Sequence, residues 1–129
     1  MEKEIIEKLI NKFRPYPKIK LVYLFGSRAT GKIGPMSDYD FAVYLDEKDS
    51  KKRFEIRLEL ISKVCGILKT DDVDLVILND IKSPLLKYNI ICGGKVILEK
   101  KPFKVLLEPQ VLSEFFDFDH SLKINNLTK

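Results

Sequence analysis

The chain is predicted to be an α/β domain in which a mixed, mostly apolar sheet has helices packed on one face. Three observations lead there. The chain has 129 residues, the size of one ordinary domain with a real core. Four short runs rich in β-branched and aromatic residues, Leu21–Phe25, Tyr39–Leu45, Val73–Leu78 and Lys95–Glu99, are bounded by glycine, proline or charged segments. The stretches around them carry apolar residues at helical spacing.

The first element is a helix from Glu2 to Phe13, where Ile5, Ile6, Leu9, Ile10 and Phe13 fall three and four apart and form one buried stripe. Pro15 and Pro17 end it. Leu21 to Phe25 is a buried strand that stops at the glycine turn Gly26-Ser27, and Tyr39 to Leu45 is the next strand. Gly31, Gly34 and Pro35 interrupt regular structure between them. A charged turn, Asp46 to Lys52, leads with Ser50 as N-cap into a helix running to about Cys65 and closed by Gly66. This helix has two apolar stripes, one of Phe54, Leu58, Ile61 and Cys65 and one of Ile56, Leu60 and Val64. It is therefore expected to be the main cover of the sheet. The strand from Val73 follows, then Ser83-Pro84 as N-cap and first helical residue of a short helix that Gly93-Gly94 stops. Lys95 to Glu99 is expected at the sheet edge, with Val96 and Leu98 turned inward and Ile97 among the solvated positions.

After Pro109, Val111, Leu112, Phe115 and Phe116 lie at helical spacing, and Phe103, Leu106, Leu107 and Phe118 add apolar surface. Two readings stand: a final helix closing the core, or a surface for a partner. Residues 1–118 form the domain, and 119–129 are expected to be a flexible polar tail. The tail holds His120, the single histidine, with no companion cysteine or histidine to make a zinc site.

The chemistry concentrates between Leu21 and Leu45. Asp38 and Asp40 are two positions apart at the entrance to a strand, so both carboxylates project from one face. Two like charges held that close share a proton, sit in open solvent, or are neutralised by a hard cation. Asp74, which begins another apolar run, offers a third acid if that strand is the neighbour. Asp71 and Asp72 read as loop acids. Three carboxylates can hold two divalent ions, and two metals about 3.5–4 Å apart stabilise both the attacking and leaving oxygens in displacement at phosphorus. Gly26-Ser27 supplies backbone N–H groups and a hydroxyl suited to the outer phosphates of a nucleoside triphosphate.

Gly26-Ser27, ten residues, then Asp38-Tyr39-Asp40 resembles the Gly-Ser-x10-Asp-x-Asp signature of the DNA polymerase β-like nucleotidyltransferase superfamily. The opening GSRATG, the strand SDYDFAVYL and the short length look like the minimal nucleotidyltransferases, many of which are paired as antitoxins with a helical HEPN-domain toxin. The resemblance covers roughly Ile19 to Leu98 and implies a polymerase β palm-like fold. It further implies that ATP binds with two Mg²⁺, that an acceptor hydroxyl attacks the α-phosphate and that pyrophosphate leaves. Asp38 and Asp40 would bridge the ions. Asp74 would bind one of them and help deprotonate the acceptor, while Gly26 and Ser27 would hold the β- and γ-phosphates. Arg28 would neutralise the leaving pyrophosphate or serve a structural ion pair. The implied acceptor is a tyrosine of the HEPN toxin, with a purely masking antitoxin and a stand-alone enzyme for a small molecule or RNA end as rivals.

Composition sets the remaining bounds. The net charge of +4, from 23 basic and 19 acidic residues, is too evenly mixed to demand nucleic acid. The cluster Lys51-Lys52-Arg53 is read as a solvated helix start rather than a nucleic-acid contact. No apolar run is long enough to span a membrane and no signal peptide is evident, so a reduced, cytoplasmic setting is expected, with Cys65 and Cys92 as core thiols. Little chain remains for an acceptor-binding domain, so the acceptor surface is expected from a partner.

Overall fold

The computed structural model describes residues 3–25 and 39–127. The described residues hold four α-helices and four strands in the order α1 (Lys3–Phe13), β1 (Ile19–Phe25), β2 (Tyr39–Leu45), α2 (Ser50–Leu68), β3 (Val73–Ile77), α3 (Pro84–Gly93), β4 (Lys95–Glu99) and α4 (Phe103–Leu127). The strands form one sheet in the order β3-β2-β1-β4. β1 runs antiparallel to β2 and β4, while β2 and β3 are parallel, so the sheet is mixed as expected. A parallel pair cannot be joined by a tight turn, and α2 supplies the crossover.

Helices cover both faces of the sheet, not one. Val22, Leu24, Phe41, Val43, Leu45, Leu75 and Ile77 pack with Leu9 and Phe13 of α1 and Leu60 and Val64 of α2. On the opposite face Leu21, Tyr23 and Ala42 pack with Ile90 of α3, and Phe103 and Leu107 of α4 lie against them. The reason lies in β1. Leu21, Val22, Tyr23 and Leu24 are successive and all buried, and a strand that alternates faces can bury such a run only when both are covered.

Several element ends differ from the sequence reading. The N-cap of α2 is Asp49, whose carboxylate accepts from the Lys51 N–H at 3.0 Å, and Ser50 is already helical. Gly66 lies inside the helix, which ends at Leu68 with Lys69 in the left-handed conformation, φ 56°. Of the two apolar stripes on α2, Ile56, Leu60 and Val64 face the core, whereas Phe54 and Leu58 are 54% and 50% exposed. A single helix face can press on the sheet, so of the other stripe Ile61 packs at the core's margin while Phe54 and Leu58 stay in water. Ile97 is buried along with Leu98 in the same core cluster, where the register of β4 against β1 shifts between Val22 and Tyr23 and the strict alternation expected of β4 is broken. Cys65 is half-buried and Cys92 exposed, so neither is the core thiol expected.

The end of β3 turns directly into a single 3₁₀ turn, Leu78–Asp80. There the Asn79 side chain clamps Leu45: its Oδ1 accepts from the Leu45 N–H at 3.0 Å and its Nδ2 donates to the Leu45 carbonyl at 2.8 Å. The amide thereby completes the hydrogen bonding of β2 where β3 has ended. α3 is capped as the sequence predicts, with Ser83 Oγ accepting from the Leu86 N–H at 3.2 Å and Pro84 in the first turn.

α4 begins at Phe103, six residues before Pro109, and runs straight through it. An interior proline costs a helix about 3 kcal/mol. Burial of Val111 and the packing of Phe103 and Leu107 on the sheet offset that cost, helped by Tyr23, whose buried hydroxyl donates to Glu108 Oε2 at 2.6 Å. The segment from Asp119, expected as a polar tail, continues the helix to Leu127.

Candidate active site

Strand register brings the acids together. Asp40 lies opposite Phe25 of β1 on one side and opposite Asp74 of β3 on the other. Adjacent strands are about 4.8 Å apart. Asp40 is two residues from Ala42 and Asp74 two from Val76, so alternation puts both carboxylates on the Ala42 and Val76 face. Asp40 is half-buried and Asp74 exposed.

The turn before β3 explains why Asp74, and neither Asp71 nor Asp72, is the residue in register. The Asp72 N–H donates to Thr70 Oγ1 at 3.1 Å and the Val73 N–H to the Asp71 carbonyl at 2.8 Å, which folds these two acids into an exposed turn. The Asp72 carbonyl then accepts from the Tyr39 N–H at 2.9 Å, fastening the start of β2 to the start of β3. Pairing begins with Tyr39 opposite Val73, and Asp40 opposite Asp74 follows.

The same end of the sheet receives the junction of α3 and β4, where Lys95 pairs with Leu24. The Gly94 N–H donates to the Ile90 carbonyl at 2.8 Å. A Cβ at Gly94 would come within 2.3 Å of that same oxygen and 3.4 Å of the Leu24 carbonyl oxygen, so glycine is what lets the chain pass so closely.

Gly26, Ser27, Arg28 and Asp38 lie outside the described residues. Among the described residues no three His, Cys, Asp or Glu side chains form a metal-sized group, so the described part of the site is the pair Asp40 and Asp74. Two carboxylates side by side on one sheet face are hard oxygen donors whose mutual repulsion a divalent cation relieves.

Sequence reasoning missed two arginines on α2. Arg53, read as part of a solvated cluster, holds Asp80 through Nη2 at 2.6 Å and Nε at 3.1 Å, and its Nη1 donates to the carbonyls of Glu47 and Lys48. The bond to Asp80 raises the guanidinium pKa further. Arg57 Nε donates to the Leu75 carbonyl at 2.8 Å and so covers an otherwise open edge of β3. Their i, i+4 spacing on one helix face was the available signal. Beside them a cleft of about 240 Å³, lined by Arg57, Val76, Ile77, Asp80 and Ile81, sits toward the end of β3 remote from Asp74.

The family model of polymerase beta nucleotidyltransferases matches residues 7–103 of this chain. Over 90 residues the chain is 37% identical to the protein adenylyltransferase MntA of Aphanizomenon flos-aquae (strain 2012/KM1/D3), covering 65% of this chain and 59% of that protein. The match thus spans somewhat less than two thirds of the relative's length. Two solved structures resemble the chain over 100% of both lengths. One is a toxin–antitoxin structure with AMP-PNP, at 27% identity and a TM-score of 0.73. The other is a tri-AMPylated Shewanella oneidensis HEPN toxin in complex with an MNT antitoxin, at 26% identity and a TM-score of 0.72.

Proposed function

Because the chain belongs to the polymerase beta nucleotidyltransferase family, its domain match running from residue 7 to 103, we propose that it transfers AMP from ATP to a hydroxyl of a partner protein. The partner is a HEPN-domain toxin, the acceptor a tyrosine, and the chain its antitoxin. The observation that carries this reading is the register of Asp40 against Asp74 on neighbouring parallel strands. It supplies two acids to one face at the sheet end that follows Phe25. The similarity to an adenylyltransferase, to a structure with AMP-PNP and to one with an AMPylated toxin supports the choice of nucleotide and of acceptor.

The donor set fits Mg²⁺, since carboxylate oxygens are its preferred protein ligands. Asp38 and Asp40 would hold two ions between them, with Asp74 on one of them. When bound, the ions supply charge neutralisation at the phosphates and at the attacking and leaving oxygens. Asp74, exposed at the strand start, would accept the proton of the incoming tyrosine hydroxyl. Gly26 and Ser27 would bind the β- and γ-phosphates, and Arg28 would offset the charge of departing pyrophosphate. The bond from the α-phosphorus to the bridging oxygen breaks as the bond to the tyrosine oxygen forms. Both cysteines are free thiols, which suits a reduced, cytoplasmic setting; no described helix is long and apolar enough to cross a membrane.

The site is tested by titration calorimetry with ATP in the presence of Mg²⁺. Asp38→Ala and Asp40→Ala should each abolish metal-dependent binding while the fold persists by circular dichroism. Unchanged binding in both variants would rule out the metal site assigned to these acids.

A further inference from the structure

α4 carries one apolar stripe from Phe103 to Leu122. Phe103, Leu107, Val111, Phe115, Phe118 and Leu122 follow at spacings of four, four, four, three and four, which places them on one side of the helix. The first four are used by the body of the domain. Phe103 and Leu107 pack on the sheet, Val111 is 3% exposed, and the Phe115 ring stacks on Tyr88 of α3 at 3.9 Å between centroids. Phe118 and Leu122 continue the same stripe but are 38% and 46% exposed. The side of the helix that is buried in its first half therefore emerges into solvent in its second.

The helix also has a direction. The Phe103 ring lies under Lys20 and beside Tyr44, whereas Glu108 meets Tyr23, so α4 advances along β1 toward Phe25, the residue opposite Asp40. From Phe116 to Leu127 it extends roughly 17 Å further. In addition, the catalytic family's match ends at residue 103, where α4 begins, yet the toxin–antitoxin structures match this chain over its full length. The helix is thus shared with the antitoxin structures and lies outside the part matched as a nucleotidyltransferase.

We infer that Phe118 and Leu122 are the docking stripe for the HEPN-domain toxin, an apolar groove on that helical partner completing the burial that the domain's own body starts. This rests on the proposed function for the identity of the partner. It adds the surface that binds and the reason it lies there: a partner seated on the distal half of α4 is held on the side of the molecule toward which β1 carries the chain to Asp40. Val105 and Leu106, 71% and 56% exposed on the other side of the first half of α4, are not part of it.

The test uses the full chain and a HEPN-domain protein from the same organism. Phe118→Glu and Leu122→Glu, made singly and together, should leave the melting temperature and ATP binding unchanged and weaken the complex at least tenfold each by calorimetry. Leu106→Glu, the control on the other side, should bind the toxin as the wild type does. If the toxin is bound and AMPylated equally well by the double variant, the docking stripe is refuted while the proposed reaction stands. If the wild type binds the toxin in a stripe-dependent way but transfers no AMP, the reaction is refuted and the stripe stands. A dimer of the isolated chain that the double variant dissolves, with toxin binding intact, would assign the stripe to a second copy and overturn the inference.

Discussion

Asp74→Asn separates the two roles of the acid pair, because it keeps the shape of the side chain while removing one of two charges held in register. The parallel pairing of Asp40 with Asp74 sets the backbones about 4.8 Å apart, and like charges directly opposite in a sheet destabilise it by roughly 0.2–1 kcal/mol. Asp74 is exposed, so water screens the repulsion and the upper end of that range is a ceiling. In EDTA the variant should therefore melt higher than the wild type by at most about 3–4 °C. With saturating ATP and Mg²⁺ the order reverses. A ligand at a hundred times its dissociation constant stabilises the folded state by about 2.7 kcal/mol, and the wild type should gain a rise of roughly 8–12 °C that the variant largely lacks. Differential scanning fluorimetry with and without metal reads both. A variant that gains the full ligand-induced shift, or one that melts lower than wild type in EDTA, would refute the claim that these acids repel one another until a cation joins them.

Three further outcomes follow from the packing. Asn79→Ala should lose roughly 2–4 kcal/mol in urea unfolding, since it removes both hydrogen bonds to the backbone of the fully buried Leu45; a loss under 1 kcal/mol would mean water replaces the clamp. Burial, and then the hydrogen bond to Glu108, pushes the Tyr23 phenol well above its usual value of 10.0, so the folded state keeps a proton that the unfolded chain gives up. Its contribution is intact below pH 10 and falls away as pH rises beyond it, by up to about 1.4 kcal/mol per pH unit; Tyr23→Phe should flatten that alkaline fall, and an unchanged pH profile would contradict the assignment. Gly94→Ala should cost on the order of 1–3 kcal/mol through its clash with the Ile90 carbonyl, whereas Gly66→Ala, with open space around it inside α2, should gain about 0.5–1 kcal/mol; equal effects in chemical denaturation would refute the contrast.

Much of the architecture was legible because the apolar runs are short and well punctuated. All four strands fall where the runs of β-branched and aromatic residues lie, and Ser83-Pro84 marked the start of α3. The pairing of Asp40 with Asp74 was reachable as a condition, that β3 neighbour β2, and the register meets it. Other features depended on what packs against what. Two apolar stripes on α2 look equivalent in the sequence, and only the sheet's position buries Leu60 and Val64 while leaving Phe54 and Leu58 in water. The run Leu21–Leu24 already contained the demand for cover on both faces, yet α3 and α4 are too distant in sequence for that demand to name them. Pro109 read as a helix boundary because its local cost is real; tertiary packing of Phe103, Leu107 and Val111 overrides it. The choice between a closing helix and a partner surface does not apply to α4 as a whole, since its first half packs on the domain and Phe118 and Leu122 in its second are exposed.

The central claim is transfer of AMP to a partner protein, and intact-mass spectrometry of that partner measures it directly. A HEPN-domain protein from the same organism, incubated with the chain, ATP and Mg²⁺, should gain the mass of one or more AMP groups on tyrosine. The gain should vanish with EDTA and with Asp40→Ala. An unmodified partner that forms a stable complex with the chain would contradict the claim in favour of an antitoxin that acts by masking, and robust nucleotidyl transfer to small molecules or RNA without any partner would contradict it in favour of a stand-alone enzyme.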